Sequence, residues 1–318
     1  MSTGTAPRYS TRELQAAAAA LAAGRFSTTT ARTETPSAIE DLDARPVSDS
    51  LDSSSAATTD GAGDRHESDT VVGTRRPIAA STVSTGSAPL VRVRAGNAGA
   101  GASTIALALA DIADVAGIRT RVLDAAAPAW SGLLGATVTE LGAAEGWRRG
   151  RRGDRVLIDR VEQSVRVPAE VPSPRSVDGV DLTVLDAGWS LRELAASHSG
   201  AWVATTSADV EVLVTRLNGL ALSQTEAALA DLEDQLAADQ VVVVVVGAGR
   251  WSDREFATAG RLLRTAHRQE AVLFAPLLPA KALPRLGPDP LPKQLTKPSQ
   301  RLLERITSIT GPLTANRN

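Results

Sequence analysis

The chain of 318 residues has no cysteine, three histidines, one tyrosine, three phenylalanines and one methionine. Without cysteine there is no disulfide, no thiolate metal ligand and no cysteine nucleophile. The histidines, His66, His198 and His267, are not spaced with each other or with a carboxylate as a zinc or iron site requires. Neither sign of charge dominates: the formal net charge is -2, which argues against a whole-surface binder of nucleic acid or membrane and leaves only a local patch to look for. No stretch reaches the roughly 18 apolar residues of a bilayer span. The alanine run "QAAAAALAAG" (15–24) lacks the ordered basic region, apolar core and cleavage site of a secretory leader. A soluble, cytoplasmic protein is expected.

The apolar share is 43%, enough for a core in most of the chain. Residues 1–88 are the exception. They are rich in Ser, Thr, Ala, Asp and Gly, as in "SDSLDSSSAATTDGAGDRHESD" (48–69), and such a segment buries too little apolar area to offset chain entropy. It reads as a disordered tail or linker. One short helix is predicted at 11–25, "TRELQAAAAALAAGR", where alanine favours helix and a partner could be recognised.

After residue 88 apolar runs alternate with helical periods, the pattern of a parallel sheet with covering helices. Strands are predicted at "LVRVRA" (90–95), "TRVLDA" (120–125), "DLTVLDAG" (181–188), "AWVATTS" (201–207) and "EAVLFAPLL" (270–278). Between 103 and 116 a helix would put Ile105, Leu109, Ile112 and Ala116 on one face; at 131–142 another would do the same for Leu134, Val138 and Leu141. A small hairpin is expected from 154–160 and 163–169. Ser223 with Glu226, and Ser252 with Glu255, have the spacing of capping boxes. The six valines of "QVVVVVVGAG" (240–249) do not alternate with polar residues, so that strand is expected at the sheet centre, covered on both faces. "SQRLLERITSI" (299–309) closes the domain with a helix burying Leu302, Ile306 and Ile309.

The first strand runs into a glycine-rich turn and then a helix. Gly96, Gly99 and Gly101 precede Ser103 and Thr104, so the spacing G-x-x-x-x-G-x-S of a phosphate-binding loop is met with alanine in place of lysine. Backbone amides and a helix N-terminus can still hold an anion there. Ala102 cannot supply the point charge that lysine brings to phosphoryl transfer.

The run from 90 to 310 resembles the deviant P-loop ATPases of the ParA/MinD type. Their loop K-G-G-x-G-K-T-T lies over "NAGAGAST" (97–104), with Asn97 at the signature lysine, Ala102 at the loop lysine, and Ser103 and Thr104 at the hydroxyl pair. "RVLDAAAPAWSG" (121–132) matches the end of their second strand at Asp124 and Pro128, and "LTVLDAGWS" (182–190) matches their metal-side strand at Asp186. The stretches 205–233 and 275–306 are similar to their next strand-to-helix unit and C-terminal end. The resemblance implies an α/β fold, a doubly wound, mostly parallel sheet of P-loop NTPase type, over 89–312, with a tail at 313–318. It also implies a nucleotide site at Gly96, Asn97, Gly99, Gly101, Ala102, Ser103 and Thr104, and ATP with magnesium held by Ser103 and Asp186 if that site is retained. The bland alternative is that Ser103 caps its helix and Asp186 bonds to its loop.

The departures set the functional expectation. Both family lysines are missing, and the family's water-positioning aspartate falls on Ala126. Loss of even one charge stabiliser typically costs about 10²- to 10³-fold in rate, so no catalytic residue is assigned. Arg92 and Arg94 lie on the strand leading into the loop and would point beside or below it. A pseudo-ATPase scaffold is expected, with a protein partner, a homodimer as a further option, and a role in positioning, division, secretion or conjugative DNA transfer. The alternatives are an active ATPase cycling on DNA or membrane with arginines for lysines, and a nucleic-acid binding module.

For the last, "GWRRGRRGDR" (146–155) gathers Arg148, Arg149, Arg151, Arg152 and Arg155 around glycines that would let guanidiniums converge on a phosphate of DNA or another anionic surface. Trp147 would stack on a base or pack inside. The Asp111/Asp114 pair and the carboxylates near Glu226 are expected in solvent. Abundant alanine, arginine and valine suggest a GC-rich bacterial genome.

Overall fold

The computed structural model describes residues 88–197, 200–279, 281 and 285–313. The segment 1–87, with the helix expected at 11–25, lies outside the described residues, as does His198. The fold is a nine-stranded sheet in the order β3-β4-β5-β2-β6-β1-β7-β8-β9. Its strands are β1 (Leu90–Ala95), β2 (Thr120–Asp124), β3 (Thr139–Ala144), β4 (Trp147–Arg152), β5 (Val156–Val161), β6 (Leu182–Asp186), β7 (Val210–Arg216), β8 (Val241–Val246) and β9 (Val272–Ala275). Strands β5, β2, β6, β1, β7, β8 and β9 run parallel; β3 and β4 form an antiparallel extension.

Helix α1 (Ala102–Val115) follows β1 and packs with the long C-terminal helix on one face, where Ile105, Leu109, Leu302 and Ile306 meet Val91 and Val93. Ala116, expected on that apolar face, is exposed past the helix end. Leu313, the first residue of the expected tail, is buried in the same core. The other face is covered by α2 (Leu191–Ala196), α3 (Trp202–Thr205), α4 (Gly219–Ala230), α5 (Glu233–Ala237), α6 (Asp253–Thr258) and α7 (Arg261–Arg268); the C-terminal helix is α8 (Thr296–Thr310). Valines of β8 divide by period two between the faces, Val242, Val244 and Val246 into one core and Val241, Val243 and Val245 into the other. The strand is covered on both sides as expected, but it stands second from the sheet edge, with β6 and β1 in the middle.

Three other expectations are corrected. The segment 131–142 is not a helix: it forms turns and then β3, and Leu134, Val138 and Leu141 are 64%, 66% and 47% exposed. The hairpin is not 154–160 with 163–169 but β3 with β4, and β4 with β5. Its first turn is the two-residue Glu145-Gly146, both at positive φ (53° and 82°), the mirror-image turn that suits the twist of paired strands. The segment 201–207 is not a strand: Trp202–Thr205 is one helical turn, and the strand begins at Val210.

Of the two capping boxes, Ser252 with Glu255 is present at α6. Ser223 lies inside α4, whose cap is Asn218, its Oδ1 accepting the Ala221 amide at 2.9 Å. Glu226, expected in solvent, accepts the amides of Leu262 (2.7 Å) and Leu263 (3.0 Å) and so caps the neighbouring helix α7.

Candidate functional site

Strand β6 is inserted between β1 and β2, so the loops leaving the carboxyl ends of these three strands meet over one crevice. In open α/β sheets such a point of reversal is where ligands bind. The β1 loop is fixed at its start by the Gly96 amide, which donates to the Val214 carbonyl at 2.7 Å. A Cβ at Gly96 would lie 2.8 Å from Thr225 Oγ1 and 3.2 Å from that carbonyl, so a larger residue would force these neighbours to shift. Gly101 is the N-cap of α1, at φ 98°, and no side chain caps the helix. The first-turn amides are therefore left to face the crevice, which is half of a phosphate site.

The other half departs from that chemistry. Ala102 opens α1 and packs against the apolar core, so the lysine position carries no charge into the loop. Asn97, at the signature lysine, turns back: its Oδ1 accepts from the Arg216 amide (3.1 Å) and the Thr215 hydroxyl (3.3 Å). Sequence reasoning missed Arg216, the last residue of β7. Its Nε donates to the Gly99 carbonyl at 2.9 Å, putting a guanidinium against the loop from the neighbouring strand. Nothing local marks this, because the pairing spans 117 residues. Arg92 and Arg94 do not reach the crevice: both pair with Glu211, and Arg92 also donates to the carbonyls of Val203 and Thr206.

Beneath the loop, Asp124 and Asp186 end adjacent parallel strands as direct register partners. Asp124 is fully buried and Asp186 is 1% exposed. Burial first, and then the charge of Asp124, push Asp186 up to about 7, against hydrogen bonding by the Ser103 hydroxyl and the Gly188 amide. Burial likewise raises Asp124, opposed mainly by the Ser131 hydroxyl, which donates to it. Ser103 thus faces Asp186 and does not cap its helix. Two carboxylates and a hydroxyl are the hard-oxygen set magnesium prefers, and Asp186 Oδ2 is buried without a hydrogen-bond partner. Asp186 and Ser103 therefore fit the ion, which when bound would neutralise phosphate oxygens. The Gly132 backbone closes over this corner, where an added Cβ would lie 2.9 Å from Ser103 Cβ.

Arg148, Arg149, Arg151 and Arg152 lie on strand β4, and Arg155 in the turn that follows it. Period two sends neighbours on β4 to opposite faces, and most find internal partners. Arg149 pairs with Asp159 (2.6 Å), Arg148 with Glu162, and buried Arg152 with Asp111 (2.6 Å) and the carbonyls of Ala136, Gly287 and Asp289. The Arg155 amide donates to Asp114 (2.8 Å), so neither Asp111 nor Asp114 is free in solvent as expected. Arg151 is exposed with no ion pair among the described residues. The guanidiniums do not converge. Trp147 is buried, 6.1 Å from Trp202, with Nε1 donating to the Pro172 carbonyl.

Among the described residues no helix is long and apolar enough to cross a membrane, and no group of three or more His, Cys, Asp or Glu side chains is placed to hold a metal. No protein-family model and no curated protein matches the sequence. Solved structures do match. The septum site-determining protein MinD of Pyrococcus horikoshii, complexed with Mg-ADP, superposes with a TM-score of 0.50 at 17% identity over 72% of this chain and 99% of its own. The cell division ATPase MinD of Pyrococcus furiosus gives 0.47 at 20% identity (70% and 100% covered), and a ParA family ATPase of Chlorobium tepidum 0.43 at 13% (69% and 99%). At such identities the likeness to the Pyrococcus horikoshii protein speaks for the fold alone: the chain shares the fold of that MinD protein.

Proposed function

We propose that this chain is a pseudo-ATPase: a ParA/MinD-type scaffold that binds a protein partner and does not turn over nucleotide. The observation that carries the reading is Ala102, partly buried against the core, where the loop lysine would stand, with Asn97 folded back onto β7. Amides and a buried carboxylate with one unpartnered oxygen remain, so an anion with its cation can be held; the fixed charge that stabilises phosphoryl transfer is gone. Partner binding is supported by the segment 130–141, where Trp130 (83% exposed), Leu134, Val138 and Leu141 stand out of the fold, a concentration of apolar surface typical of interaction sites. Positioning, division and conjugative DNA transfer are the processes in which such a scaffold would serve.

Arg216 supports a second reading, an active ATPase in which this guanidinium substitutes for the lysine. Phosphate release from Mg-ATP, measured on the purified chain beside Arg216→Ala and Asp186→Ala, separates the two. The pseudo-ATPase gives the same background rate in all three. Release that is saturable in ATP and abolished by either substitution establishes the second reading and removes the first.

A further inference from the structure

A second polar site lies on the sheet face opposite α1, away from the glycine loop. Apolar residues are expected beneath covering helices, yet β1 presents Arg92 and Arg94 there, and both share Glu211 of β7. Arg92 is satisfied: it bonds Glu211 and the carbonyls of Val203 and Thr206. Arg94 is not. Its Nη2 reaches Glu211 Oε1 at 3.1 Å, while its buried Nε lies 3.0 Å from Glu211 Oε2 without forming an aligned hydrogen bond, and its side chain is 12% exposed. Two guanidiniums on one carboxylate leave an excess positive charge in a desolvated wall, an arrangement that costs stability unless something completes it.

Arg94 lines two cavities of about 570 and 130 Å³, the larger within the range of small-molecule sites. Asp231 and Asp234, at the junction of α4 and α5, and Asp209 also line the larger cavity. Asp231 and Asp234 form no salt bridge among the described residues, although the charge of Asp231 acts on Arg94; the salt bridge on this stretch is made by Glu233, to Arg261. No aromatic side chain lines the larger cavity, and Leu232 is its one large apolar residue, so neither a stacked base nor an apolar ligand suits it. A dianion such as phosphate would be repelled by the carboxylates. A polyamine would meet Arg94.

We propose that this groove binds a small zwitterion of the amino-acid class, its carboxylate paired with Arg94 and its ammonium group facing Asp231 and Asp234. The hydroxyls of Thr206 and Ser207 and the amide of Gln235 offer polar contacts to the rest of the ligand.

Isothermal titration of the full chain with glycine, L-serine, L-glutamate and L-lysine separately, and with acetate, inorganic phosphate and spermidine, tests this. At least one zwitterion binds with Kd below about 1 mM, at least tenfold tighter than acetate, phosphate or spermidine. Arg94→Gln, which leaves the Arg92–Glu211 pair in place, weakens that binding at least tenfold; Asp231→Asn, at an exposed position, weakens it severalfold and decides the matter if Arg94→Gln does not fold. The proposal is overturned if none of the four zwitterions binds below about 10 mM, if acetate or spermidine binds as tightly, or if both substitutions leave affinity unchanged.

Discussion

Asp124 and Asp186 are register partners at the carboxyl ends of β2 and β6, two carboxylates side by side in the interior with one oxygen of Asp186 left unbonded. Burial and mutual repulsion make the folded state hold a proton there more tightly than the unfolded chain does.

The sign of the pH effect follows. A carboxyl raised in the folded state carries no penalty below its unfolded pKa, near 3.9, and the full penalty once pH has risen through about 7. Asp186→Asn should stabilise the protein at about pH 8 by up to about 4 kcal/mol, with less than half that gain at about pH 5. Urea unfolding at the two pH values measures it, and a gain that grew toward acid would contradict the buried pair.

The arginines of β4 should separate by burial. Removing Arg152 strands Asp111 and three carbonyls, so Arg152→Ala should cost about 3–5 kcal/mol. Arg151→Ala, at an exposed position, should stay within about 0.5 kcal/mol. Equal effects in denaturant titration would restore the picture of a loose arginine turn.

Two loop glycines should fail for different reasons. At Gly96 the obstacle is space, with Thr225 Oγ1 at 2.8 Å from an added Cβ; at Gly101 there is nothing within 4 Å and the obstacle is φ 98°. Gly96→Ala should cost about 1–3 kcal/mol through overpacking and be partly rescued by Thr225→Ala. Gly101→Ala should cost about 1–2 kcal/mol with no rescue by Thr225→Ala. A double-mutant cycle in thermal unfolding distinguishes them.

The buried triad under the groove offers a last test. Glu211→Gln leaves two buried guanidiniums without their shared anion and should destabilise by about 3–5 kcal/mol, whereas replacing Arg92, Arg94 and Glu211 together by leucine or methionine should be near neutral or stabilising. If the apolar triple is as damaged as Glu211→Gln, the triad serves the fold and not a ligand.

Much of this was legible locally. The strand, glycine turn and helix at 90–115 appear where periodicity put them, as do β2, β6, β8, β9 and α8. The edge hairpin did not: Leu134, Val138 and Leu141 mimic a helical stripe, while the signal against it was the dipeptide Glu145-Gly146 between two short runs. Arginines adjacent in sequence looked like one patch because alternation along a strand is invisible until the strand is recognised.

By itself the sequence determined the doubly wound fold class and placed asparagine and alanine, Asn97 and Ala102, in the glycine loop where the family it resembles carries lysine, since residue identity and periodicity of 2 or 3.6 are local properties. Only the tertiary structure decided that Asp186 lies beside Asp124, that Arg216 reaches Gly99, and that Arg152 belongs to Asp111. Those partners are separated by tens of residues or more, and strand order and register, which the chain sets only on closing its crossovers, bring them together.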